Sequence, residues 1–114
     1  MPLNKTQTFN DGILSIFSVG EDDELMPIIS GIRFGRRTVG SKRFFEAYEY
    51  QHRVDEVVRI PYTGAILAND VAVIDETQYN ILQVQKIFDT MPKCLQLTLE
   101  MLREGREHDY HSTA

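Results

Sequence analysis

Apolar residues occupy positions 95, 97, 99 and 101 of the run Cys94-Leu95-Gln96-Leu97-Thr98-Leu99-Glu100-Met101-Leu102, whereas 96, 98 and 100 are polar. Successive side chains of a strand point to opposite faces, so this period of two predicts a strand with one buried and one wet side. Ile13 to Val19 is a β-branched and aromatic run bounded by glycines, and it predicts another strand. Ile28 to Val39 reads as a longer one, whose Gly31 and Gly35 predict a bulge or a bend. Val54 to Ile60, stopped by Pro61, and Val71 to Ile74 supply two more. Tyr79 to Phe88 completes six, and its alternation slips near Leu82, which predicts a second bulge.

Between Val39 and Val54 the period changes. Ser41 suits an N-cap, and Phe44, Phe45, Tyr48 and Gln51 recur at helical spacing. One helix of roughly three turns is expected, with Phe44, Ala47 and Tyr48 on the sheet and Lys42, Glu46 and Glu49 towards water. The connections read as a loose arm over residues 1–10, an acidic loop Glu21-Asp22-Asp23-Glu24 closed by Pro27, and a turn at Pro61-Tyr62-Thr63-Gly64. Ala65 to Asp70 is expected to be a loop with a short apolar contact, Asp75 to Gln78 a turn, and Asp89 to Lys93 another. The expected fold is mainly β: a small six-stranded antiparallel β-barrel (or sandwich) with one short inserted α-helix. Closure removes exposed edges, and bulges help strands curve, which favours the barrel. Residues 1–104 form one domain in this reading, and 105–114 a flexible C-terminal tail.

Composition narrows the class without changing the fold. At 114 residues and 13.2 kDa the chain holds one hydrophobic core, not two. No apolar run is long enough to span a membrane, and Met-Pro-Leu-Asn-Lys lacks the layout of a signal peptide. A lone Cys94 excludes an intrachain disulfide and fits a reducing cytoplasm. Charge is unevenly spread. Residues 1–30 carry Lys5 against Asp11, Glu21, Asp22, Asp23 and Glu24, whereas 31–53 carry Arg33, Arg36, Arg37, Lys42, Arg43 and Arg53 against Glu46 and Glu49. A basic middle between acidic flanks suits charge-matched assembly with copies of the chain or with partners. A solvated surface of uneven charge is the plainer reading.

Candidate chemistry is sparse. His108, Asp109 and His111 lie in a polar tail with no thiolate partner, a poor match to a structural metal site. His52, at the end of the expected helix, reads as a favourable C-terminal charge. Cys94 has no nucleophile signature around it, and Asp75-Glu76 are what a tight turn asks for. Neither a phosphate-cradling glycine loop nor a nucleophile elbow occurs. No catalytic, metal or cofactor residue is therefore assigned, and no enzyme is expected. The basic cluster with Phe34, Phe44 and Phe45 superficially matches a single-strand platform, but the helix phenylalanines serve better as core and the chain is acidic overall.

Arg36-Arg37-Thr38-Val39-Gly40-Ser41-Lys42-Arg43-Phe44-Phe45-Glu46-Ala47 is followed by Val58-Arg59-Ile60-Pro61-Tyr62, Asp70 to Asp75, Tyr79-Asn80-Ile81-Leu82-Gln83-Val84 and Leu95-Gln96-Leu97-Thr98-Leu99. In this succession and spacing the chain from Gly35 onwards resembles the small head–tail joining proteins of tailed bacteriophages, also called head-closure, stopper or head–tail adaptor proteins. The likeness covers about two thirds of the chain; each motif alone is a packing pattern. The resemblance implies a small β-barrel with an inserted helix, no chemistry and no cofactor. It implies a ring assembled beneath the portal and its adaptor after DNA packaging, in the virion and, during assembly, in the host cytoplasm. The tail would bind the ring, and the segment from about Gly35 to Arg53 would face the channel. Candidate contacts are then Arg33, Arg36, Arg37, Lys42 and Arg43, paired with Glu21, Asp22, Asp23 and Glu24 of a neighbour or set against packaged DNA. A tail-completion or tail-terminator subunit of the same fold, and a nucleic-acid-binding barrel, are the alternatives.

Overall fold

The computed structural model describes residues 5–37 and 54–102. Eight strands follow in order: β1 (Lys5–Thr6), β2 (Gly12–Val19), β3 (Leu25–Arg36), β4 (Glu56–Pro61), β5 (Val71–Ile74), β6 (Thr77–Ile87), β7 (Thr90–Met91) and β8 (Cys94–Met101). Six of them pair antiparallel in the circuit β2-β3-β4-β8-β6-β5, and β2 also bonds β5, so the sheet closes as a barrel. The six-stranded antiparallel reading of the periodicity therefore holds. The helix expected from Ser41 to Gln51 and the tail from 105 lie outside the described residues.

Alternation decides which side chains line the interior. Leu14 and Ile16 of β2, Val58 and Ile60 of β4, Ala72 and Ile74 of β5, and Leu95, Leu97 and Leu99 of β8 all enter one core with Phe34 and Ile81. Each of these large side chains contributes about 1.5–3 kcal/mol by leaving water. Ile66 joins them from the 62–70 loop, the short apolar contact expected there.

Three irregularities bend the sheet: Ile28 is an extra residue between the pairs Ile16–Ile29 and Phe17–Pro27, and two more lie at Gly31 and Leu82. Leu14 faces Ile32 and Ile16 faces Ile29, so Ser15 opposes both Ser30 and Gly31. Gly31 has φ 76°, a conformation that costs glycine nothing, and its N–H donates to Ser15 Oγ at 3.1 Å. On β6, Leu82 is the extra residue between the pairs Ile81–Leu99 and Gln83–Thr98, at the point where the alternation slips. Gly35, by contrast, is paired in register with Arg59. Its role is clearance: a Cβ there would meet the Thr8 carbonyl oxygen at 2.5 Å.

Three differences from the sequence reading concern strand ends. β3 begins at Leu25, so Pro27 sits inside a strand rather than closing the loop. A proline is tolerated there because, among the described residues, the strand has a single neighbour at that level, and no ladder bond is lost on the other side. Residues 5–11 are not a loose arm. Lys5–Thr6 pair parallel with Thr90–Met91, Gln7 N–H donates to Met91 O, and Asp11 N–H to Phe34 O. The expected 89–93 turn accordingly contains β7 and a cis Met91–Pro92 bond.

Candidate interaction surface

The β2–β3 hairpin carries acid at its tip and base at its foot. The tip is a tight turn in which Gly20 N–H donates to Glu24 O and Asp23 N–H to Gly20 O, with Asp23 at φ 66°. Aspartate tolerates that left-handed conformation better than most residues, which suits Asp23 to this place in the turn. Glu21, Asp22 and Asp23 are exposed and Glu24 half-buried. Among the described residues neither Glu21 nor Asp22 has a side-chain hydrogen bond or ion pair.

At the foot the arginines divide into two kinds. Arg36 is held within its own chain: its Nε lies 3.3 Å from Glu56 Oε1, its guanidinium sits 5.2 Å from the Phe34 ring centroid, and its backbone N–H donates to Asp11 Oδ2. Arg33 and Arg37 are exposed and, among the described residues, carry no side-chain partner. Lys42 and Arg43 lie outside the described residues. Of the expected contact set, the structure thus leaves Arg33, Arg37, Glu21 and Asp22 with charge to offer, and gives Arg36 a structural role.

Arg33 cannot meet the acidic loop of its own chain. It stands nine residue steps along the strand from Glu24, about 30 Å at the usual rise per residue. That distance is several Debye lengths at physiological salt. Opposite charges on one hairpin are therefore kept apart within the chain.

Sequence reasoning missed a polar row on the outer face of the sheet. Arg59 Nε donates to Gln96 Oε1 at 2.9 Å and Arg59 Nη1 to Gln7 Oε1 at 3.0 Å, while Gln96 Nε2 donates to Gln85 Oε1 at 3.1 Å. Burial, with the like charge of Arg37 added, lowers the Arg59 guanidinium from its ordinary value; Cys94 and Asp89 act in the opposite sense. All three strand residues were legible as outward polar positions. That they stand side by side follows from β8 lying between β4 and β6, which no single strand encodes.

A second feature missed is apolar. Tyr62, Phe88 and Met91 are exposed where β4, β6 and β7 end, the two rings 5.7 Å apart and Lys93 Nζ 5.6 Å from the Phe88 centroid. The motif-bearing candidates for chemistry are placed plainly. Cys94 is buried with its Sγ 3.6 Å from Thr90 Oγ1, and Asp75 and Glu76 form the two-residue turn between β5 and β6. His52, His108 and His111 lie outside the described residues. Among the described residues no group of three His, Cys, Asp or Glu is arranged to hold a metal, and no helix is long and apolar enough to cross a membrane. Comparisons with protein-family models, with curated proteins and with solved structures find no match to this chain.

Proposed function

We propose that the protein is a structural subunit of a tailed bacteriophage or prophage virion, joining the portal and adaptor of the filled head to the tail as one member of a connector ring. It performs no reaction in this role; its surfaces hold neighbours, and the short helix expected between Ser41 and Gln51 belongs to the same reading. The succession of motifs from Gly35 to Leu99 motivates the family. The observation that carries assembly is the hairpin whose acids, Glu21 and Asp22, and bases, Arg33 and Arg37, have no side-chain partner among the described residues and stand too far apart to satisfy one another. Long-range attraction between such ends orients and accelerates encounters between separate molecules.

Electron microscopy of the purified protein mixed with portal and adaptor tests the proposal. Rings are expected in the mixture, with monomers or loose oligomers in the protein alone. Absence of ring density in the mixture contradicts it. Separate pull-downs with head-side and tail-side proteins distinguish the connector from a tail-completion or terminator subunit. Arg33 and Arg37 also give the nucleic-acid reading an observation of its own. That reading requires gel-shift binding that survives about 0.2 M salt, where simple phosphate contacts are already weakened by orders of magnitude.

A further inference from the structure

We propose that Arg37 and Arg59 form the two sides of a seat for a dianionic phosphate, either free phosphate or the end group of a monoester, on the outer face of the barrel. Register brings the two side chains together. Gly35 pairs with Arg59, and the Arg37 N–H donates to Val57 O at 2.8 Å. Arg37 and Arg59 are thus diagonal neighbours on adjacent strands, about 7–8 Å apart and within reach of long side chains. Val58 and Ile60 enter the core, so alternation turns Arg59 outward, and Arg37 is exposed.

Arg59 is held in place before any ligand arrives. Gly35, opposite it, has no side chain, and a Cβ there would meet Thr8 O at 2.5 Å and Gln7 Nε2 at 3.4 Å. The bare backbone lets residues 7 and 8 cross β3, so Gln7 takes Arg59 Nη1 while Gln96 takes Nε. Both acceptors are neutral amides: they fix the guanidinium plane without cancelling its charge. Arg59 Nη2 and the Arg37 guanidinium have no hydrogen-bond partner among the described residues. The nearby carboxylates leave the pair open. Asp55 accepts the Met101 N–H at 2.7 Å, and Asp89 attracts Arg59 without forming an ion pair with it.

Burial and the charge of Arg37 both disfavour the charged form of Arg59. An anion between the two guanidiniums offsets that repulsion. Charge also selects the ligand. Two arginines are balanced by a phosphate monoester or inorganic phosphate, at about −1.5 to −2 near neutral pH, whereas a carboxylate or a phosphodiester brings only a single charge. The oxygens of a phosphate can accept from two guanidinium forks at once.

The seat is probed on the free protein, whereas the connector reading is tested with portal and adaptor present; either can fail without the other. In nuclear magnetic resonance titrations at constant ionic strength, inorganic phosphate is expected to shift the Arg59 Nε–H and the Arg37 and Arg59 amides, saturating with one dissociation constant. Phenyl phosphate should shift the same signals, and dimethyl phosphate and acetate should bind about tenfold more weakly or worse. Tighter binding of phenyl phosphate assigns the seat to a monoester on a larger molecule; tighter binding of inorganic phosphate assigns it to the free ion. Arg37→Gln, which has no side-chain partner to lose among the described residues, should bind phosphate about tenfold more weakly. Undiminished binding by Arg37→Gln overturns the proposal. So do shifts at Arg33 as large as those at Arg37 and Arg59, shifts that never saturate, or dimethyl phosphate binding as well as inorganic phosphate. The titrations of the unmodified protein need no variant, so they decide the matter even if Arg37→Gln fails to fold.

Discussion

Leu97 and Thr98 are adjacent on β8 and both are fully shielded from water, yet they face opposite sides of the sheet. Leu97 joins the barrel core, but among the described residues the Thr98 hydroxyl has no hydrogen-bond partner. A buried polar group left unmatched costs about 1–3 kcal/mol, and an isosteric apolar replacement recovers part of it. Thr98→Val is therefore expected to leave the melting temperature unchanged or raise it, by up to about 1 kcal/mol of stability; a clear loss in thermal unfolding contradicts this. Asp70 gives a pH-dependent counterpart. Its Oδ2 accepts the Leu67 N–H at 2.8 Å, but burial outweighs that bond and raises its carboxyl above the ordinary 3.8. The folded state then binds the Asp70 proton more tightly than the unfolded state does. Stability from this group is greatest below the unfolded value and falls as pH rises through the elevated folded one. Asp70→Asn keeps an acceptor for Leu67 and removes that slope, so chemical denaturation from about pH 4 upwards should show a flatter profile than the parent. An unchanged slope would assign the pH dependence to other groups.

The turn between β5 and β6 shows what an element demands of its residues. Ile74 pairs with Thr77, and Asp75 and Glu76 take φ of 50° and 67°. Two central residues with positive φ form a type I′ turn, which suits the twist of a hairpin but favours Asn-Gly over Asp-Glu. Replacing the pair by Asn-Gly should stabilise the protein by about 1 kcal/mol, since glycine adopts this conformation without strain. A lower melting temperature would mean that the Glu76 side chain contributes more than its backbone costs. β8 was legible from its period of two, and β2 and β5 as short β-branched runs between turn residues. The Leu82 bulge was legible as a break in that period. β1 and β7 were not, because two residues carry no period and their pairing joins segments far apart in sequence. Pro27 misled for a related reason: proline forbids a central strand, but β3 lies at an edge there, and edges are set by topology.

At the scale of the whole molecule, the charge clusters were legible and their state of pairing was not. The sequence places acid before β3 and base at its C-terminal end. Only the folded chain puts Glu56 and Phe34 against Arg36, satisfying it locally, and leaves Arg33 and Arg37 exposed. The emphasis on Arg36 as an assembly residue therefore shifts to its neighbours. Removing Arg36 breaks its ion pair with Glu56, whereas Arg33 and Arg37 have no side-chain partner to lose among the described residues. A folded scaffold with widely separated unpaired charges gains by meeting complementary charge on another molecule, and that is the physical basis of the assembly reading.

Ring formation by charge-reversed chains in the presence of portal and adaptor tests that basis most directly. Arg33→Glu with Arg37→Glu should fold as the parent does and lose rings, and adding Glu21→Lys and Asp22→Lys to the same chain should bring them back. Rings that form equally well from the arginine-reversed chain alone would contradict the claim that these charges hold one subunit to the next.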